Sequence, residues 1–157
     1  MLLDQLKPSG AGRIINVASS AQTKQWDIEQ LSQQQRKFSS MDAYKEAKTA
    51  VLMMTYYMAK QVSDMKVTVN ALHPGVIYTP QSSRTAPAFA KPLLKLFMKS
   101  PEQGAETSVH LASSPDLTNV TGTYFVGKQP TKTVTVSYDT VLQKKLYEQS
   151  LQWTGLS

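Results

Sequence analysis

Two short runs of β-branched residues, separated by one long helical stretch, constrain the fold of this chain more than any other feature. Arg13-Ile14-Ile15-Asn16-Val17-Ala18 and Lys66-Val67-Thr68-Val69-Asn70-Ala71-Leu72 have strand length and strand composition. Between them, residues 41–62 hold Ala47, Ala50, Val51, Leu52, Met53, Met54, Tyr56, Tyr57, Met58 and Ala59 with no glycine or proline. That is a helix, apolar nearly all round, and a helix of that kind is expected to be buried on most sides. One side covers a sheet, and the other offers a face to a second copy of the chain, with Met53 and Tyr57 as its outward probes. Gly122-Thr123-Tyr124-Phe125-Val126 reads as a last strand. Strands separated by helices argue an α/β fold with a parallel sheet, in one domain spanning residues 1–157.

The remaining segments are read from their end signals. Ser100-Pro101-Glu102-Gln103 sets a capping hydroxyl, a proline at the first helical position and a glutamine at the third, which predicts a helix from Ser100 to about Ser113. Ser137-Tyr138-Asp139 opens a closing helix towards Trp153, and Gly155 stops it. The polar, glutamine-rich stretch from Gln22 to Ser39, with Trp26-Asp27 inside it, reads as an exposed excursion. Lys91, Lys95 and Lys99 stand four apart among Phe89, Leu93, Leu94, Leu96, Phe97 and Met98, which is a short basic amphipathic helix.

Composition excludes several classes of function. The net charge is +6, but the lysines are dispersed among carboxylates and form a solvated basic surface, so no nucleic-acid partner is expected. There is no cysteine, hence no disulfide, no cysteine zinc site and no thiol nucleophile. Two histidines, His73 and His110, without clustered carboxylates offer no metal-ligand set. The G-x-S-x-G elbow of a serine hydrolase is absent. No terminus reads as a signal peptide and no apolar run reaches membrane-span length, so a cytoplasmic protein is expected, with membrane anchoring of a longer parent left open.

Tyr44-Lys45-Glu46-Ala47-Lys48 carries the candidate chemistry. On a helix, Tyr44 and Lys48 stack one turn apart on one face. A free phenol near pKa 10 needs a shift of roughly three units, about 4 kcal/mol, to exchange protons near neutrality, and an ammonium beside it works in that direction. The same spacing occurs often on solvated helix faces, so the flanks decide. Ser19 and Ser20 emerge at the carboxyl end of the first strand, and Pro74-Gly75 turns at the end of the second. Ligands of open parallel sheets sit beyond the carboxyl ends of the strands, so these residues can converge on Tyr44 and Lys48.

Taken together, I-I-N-V-A-S, Y-K-E-A-K, V-N-A-L-H-P-G-V-I-Y-T, S-P-E-Q-G-A-E-T-S and G-T-Y-F resemble the short-chain dehydrogenase/reductase family, in its retinol-dehydrogenase-like branch. The resemblance implies hydride transfer between NAD or NADP and a small apolar alcohol or carbonyl substrate. It places catalysis on Ser19, Tyr44 and Lys48, with Ser20 left as a turn cap. Tyr44, Lys48, Pro74, Gly75, Ile77 and Thr79 are implied for the nicotinamide half of the cofactor site. His73 is implied as structural. Residues 89–98 are implied as a cover over the substrate, ahead of plain packing and of membrane-surface contact. The family's glycine-rich turn, its N-N-A-G segment and its upstream asparagine are not in this sequence. The implied fold is therefore the C-terminal part of a Rossmann-type doubly wound sheet. The alternative function is an inactive fragment or isoform that acts as an interaction protein.

Overall fold

The computed structural model describes residues 2–31, 39–78 and 98–156. A short helix α1 (Leu2–Leu6) and a 3-10 turn lead into β1 (Gly12–Val17), followed by α2 (Ile28–Leu31), α3 (Ser40–Gln61) and β2 (Val67–His73). Then come α4 (Pro101–Ser113), β3 (Tyr124–Val126), β4 (Gln129–Pro130) and α5 (Thr140–Thr154). The sheet order is β1-β2-β3-β4. β1 pairs with β2 in parallel, from Gly12 against Val67 to Val17 against Leu72, and β2 pairs with β3 in parallel. The three expected strands are present, and a two-residue β4 adds an antiparallel edge.

β2 is buried from Val67 to Leu72, the mark of a central strand covered on both faces. On one face, Leu52 and Tyr56 of α3 close on Ala18, Ala71 and Tyr124. On the other, Leu111 of α4 packs on Leu72 and Phe125. Buried Asn70 uses its amide for register rather than for packing. Its Nδ2 donates to the Val120 carbonyl at 2.6 Å, and its Oδ1 accepts from the Thr123 N–H at 3.0 Å, fixing the turn that feeds β3. Arg13 reaches from β1 to the end of α4 and donates to the carbonyls of Leu111 (2.9 Å) and Ser114 (2.8 Å), groups left without intrahelical partners at a helix C-terminus.

The helix ends follow the end signals closely. Ser100 forms a complete capping box with Gln103. Asp139 caps α5 by accepting from the N–H groups of Val141 and Leu142, and Gly155 ends it in the left-handed conformation. The serine capping α3 is Ser39, which accepts from Asp42 N–H.

Helix α3 is exposed over its first turns, at Met41 and Tyr44, while from Thr49 to Ala59 every residue is buried or half-buried, with Thr49, Leu52, Met53, Thr55, Tyr56 and Ala59 buried. Two expectations need correction. Met53 points inward and is fully buried against Trp26 and Leu146 of α5, so it is no outward probe for a second subunit. Helix α5 takes the flank that composition left open. Tyr57 packs on its Tyr147, ring centroids 4.8 Å apart and planes tilted by 34°, and an open apolar groove of about 770 Å³ runs between Val51, Met54 and Met58 of α3 and Trp153 of α5. The stretch after Gln22 is not wholly exposed either. Trp26 is buried, its indole N–H donates to the Glu46 carbonyl at 3.2 Å, and α2 follows it. A large aromatic ring gains more from burial than the polar residues around it lose, so it anchors its segment to the core. Residues 89–97 of the basic amphipathic stretch lie outside the described residues. Among the described residues, no helix is long and apolar enough to cross a membrane.

Candidate active site

The carboxyl ends of β1 and β2 gather the candidate residues. Ser19 follows β1 and is buried. Its Oγ accepts from Ala21 N–H at 3.1 Å, which folds the chain into a tight turn, and its carbonyl accepts from Gln22 Nε2 at 3.1 Å. Gln22 is held from the other side, where its Oε1 accepts from Val134 N–H at 3.0 Å. The turn is also tied to α3, because Thr23 N–H donates to Thr49 Oγ1 at 3.0 Å, one residue beyond Lys48. Ser20, its neighbour, is exposed and lies 3.3 Å from His73 Nε2, a bond that joins the serine turn to the end of β2.

Tyr44 and Lys48 stack as their spacing requires. The Lys48 ammonium lies 5.7 Å from the centroid of the Tyr44 ring, and the ring is 45% exposed, open to a ligand. The same ammonium donates to the Val17 carbonyl at 3.0 Å. Ala18 N–H bonds to the Leu72 carbonyl, so alternate residues of β1 turn towards β2, and Val17 presents its carbonyl to the other edge, where Lys48 meets it. One strand end thus fixes both the serine turn and the lysine. An ammonium has three N–H donors, so the bond to Val17 leaves two for the hydroxyls of a ligand.

The turn after β2 is built differently. Gly75 adopts φ +97°, a left-handed conformation that favours glycine, and a Cβ there would meet the stem of Lys99 at 2.9 Å. Ile77 pairs with Lys99 in an isolated bridge, with Lys99 N–H donating to the Val76 carbonyl and Tyr78 N–H to the Lys99 carbonyl. Ile77 also packs on Gly104, where a Cβ would fall on its side chain. Gly75 and Ile77 are thus held by Lys99 and α4, and Pro74 precedes them in the same turn. Thr79 lies outside the described residues. Burial, then the positive charge of Lys99, holds the His73 imidazole below its ordinary pKa of 6.5, so the ring is neutral at pH 7.

Sequence reasoning missed Gln22, Thr49 and the Val17 carbonyl. A backbone carbonyl has no sequence signal, and a glutamine in a polar stretch is indistinguishable from a solvated one. Thr49, directly after the lysine on an apolar helix, is the one that polarity against its surroundings could have flagged.

A mostly parallel sheet flanked by α3 and α4, with these side chains at its carboxyl end, has the architecture of a Rossmann-type oxidoreductase. Residues 2–127 match the family profile described as enoyl-(acyl carrier protein) reductase. Retinol dehydrogenase 13 of Homo sapiens is 34% identical over 164 residues, covering 99% of this chain and 50% of that protein. Polyprenol dehydrogenase of Homo sapiens is 32% identical over 166 residues, with coverage of 99% and 50%. A 4-hydroxyisoleucine dehydrogenase solved in complex with NADH superposes with a TM-score of 0.55 at 21% identity, over 80% of this chain and 49% of that one, a likeness of fold. The chain belongs to the short-chain dehydrogenase/reductase family, in its retinol-dehydrogenase-like branch. It spans about half the length of the curated relatives it matches.

Proposed function

We propose that this chain carries the proton-transfer and substrate-orienting half of an NAD- or NADP-dependent alcohol/carbonyl oxidoreductase, with residues 1–157 acting as one unit. The observation that carries the reading is the placement of Lys48, bonded to the end of the strand that bears Ser19 while stacked one turn from Tyr44. A nicotinamide dinucleotide, when bound, supplies or accepts the hydride. In the reducing direction, Tyr44 gives its phenolic proton to the carbonyl oxygen of the substrate, and in the oxidising direction it takes the proton of the alcohol. Lys48 places positive charge beside the phenol, where negative charge appears as the proton leaves, and its two remaining N–H groups hold the ribose. Ser19 keeps its hydroxyl hydrogen after accepting from Ala21 and directs it at the substrate oxygen. Pro74, Gly75 and Ile77 present backbone groups to the nicotinamide carboxamide, with Thr79 beside them. The substrate is a small alcohol or carbonyl compound with an apolar body, as the names retinol dehydrogenase and polyprenol dehydrogenase suggest for its relatives.

The alternative, an inactive chain that acts by association, draws on one observation: among the described residues, β1 has a strand partner on one side only. Titration calorimetry separates the two. Binding of NAD or NADP, with carbonyl reduction that falls ~10² to 10⁴-fold in Tyr44→Phe while cofactor affinity holds, supports the catalytic reading. Turnover unaffected by Tyr44→Phe refutes the assignment. A folded, self-associating chain that binds neither cofactor supports the alternative.

A further inference from the structure

Beside the serine turn, past the carboxyl ends of β1 and β3, lies a pocket of about 380 Å³ whose walls include Ser20, Gln22, Tyr124, Val126, Thr131 and Lys132. Its polar groups divide into those already engaged and those left over. Gln22 accepts from Val134 N–H and donates one of its two Nε2 hydrogens to the Ser19 carbonyl. Thr131 donates to the Gln129 carbonyl. Tyr124 is 2% exposed; its buried hydroxyl hydrogen finds no acceptor, while the Gln22 amide faces its oxygen as a donor and works against the larger effect of burial. Burial raises the pKa of this phenol, so it remains a donor.

Ser20 supplies a second donor, by an argument from its partner. His73 is neutral and carries one ring proton, and its Nδ1 is buried with no partner. A buried unpaired N–H is rarer and costs more than an unpaired acceptor. The proton therefore sits on Nε2 and is donated to Ser20 Oγ, which leaves the hydroxyl hydrogen of Ser20 free for the pocket. Lys132 adds a full positive charge, and no wall residue is acidic. A buried phenol whose hydrogen has no acceptor, a free serine hydroxyl and an ammonium, with no carboxylate among the described wall residues, make a site that favours an anion.

We propose that this pocket is a subsite for a carboxylate carried by the substrate at the end remote from its reacting oxygen, held by the hydroxyls of Tyr124 and Ser20 and the ammonium of Lys132. The preferred substrate is then an oxo or hydroxy acid with an apolar middle. The identity of the reacting end rests on the function proposed above; the anion subsite does not.

The test reads binding. Amide shifts of the isotopically labelled full chain are followed during titration with 7-oxooctanoate and with 2-octanone, probes that differ in the distal carboxylate. The expected result is saturable movement of Ser20, Tyr124 and residues 131–133 with 7-oxooctanoate, at least tenfold weaker with 2-octanone. Affinity for the acid should fall about tenfold or more in Tyr124→Phe, which keeps the ring, and in Lys132→Gln, which lies at the surface and leaves the core untouched. Equal binding of the two probes, no movement at these amides, or indifference to both substitutions overturns the subsite. A pocket that holds only water gives the second of these outcomes. None of these outcomes bears on the Tyr44 assignment, whose failure is read separately in turnover.

Discussion

Asn70→Ala tests how the central strand delivers Tyr124 to the site. Asn70 is buried, and its amide satisfies the Val120 carbonyl at 2.6 Å and the Thr123 N–H at 3.0 Å. Alanine removes both partners and adds none. Leaving a buried backbone group unpaired costs about 1–3 kcal/mol, with an N–H at the upper end, and the Val120 carbonyl, at the end of a turn, recovers part of its loss from water. The sum is about 2–4 kcal/mol, which for a chain of this size lowers the melting temperature by roughly 5–15 °C. Asn70→Asp is the graded control: it still accepts from Thr123 but sets a carboxylate oxygen against the Val120 carbonyl, so it should be no more stable than alanine. Urea unfolding followed by circular dichroism measures both, with the midpoint shifting at constant slope. A loss below about 0.5 kcal/mol for Asn70→Ala would refute the reasoning, because it would mean that water or a relaxed turn replaces both bonds.

Three further outcomes follow from the packing and the charges. Met53→Asp places an unpaired charge between Trp26 and Leu146, so the expected result is loss of cooperative unfolding in a thermal melt, a cost of several kcal/mol, and not a folded monomer in sedimentation. Tyr57, packed at a tilt on Tyr147, remains the residue for testing a subunit face: Tyr57→Ser should cost about 0.5–1.5 kcal/mol of stability, and a shift to lower mass beyond that would reveal association. His73, whose folded pKa is depressed, contributes stability that is complete above the unfolded value near 6.5 and is lost as pH falls through its folded value. Stability measured from pH 7.5 downwards should therefore decline below about 6.5, and His73→Asn should flatten that segment of the profile.

Local sequence signals suffice for the α/β class, the positions of β1, β2, α3 and α4, and the stacking of Tyr44 and Lys48 on one helix face. Each of these rests on local physics: β-branched runs, a capping box at Ser100, and a helical repeat that brings residues four apart onto one face. Caps and periodicity act over a few residues, so a few residues suffice to read them. Which side of α3 faces α5 depends on long-range packing, because an apolar helix does not record what covers it. Met53 faces inward since α5, nearly a hundred residues later, packs there. The engagement of Lys48 by Val17 and of the serine turn by Gln22, Thr49 and Val134 was equally closed to sequence reasoning, since those bonds join strand edge, helix and C-terminal segment. The candidate site is legible in its side chains and hidden in its supports, because proton-transfer chemistry selects residue types whereas backbone groups look alike until the chain has folded around them.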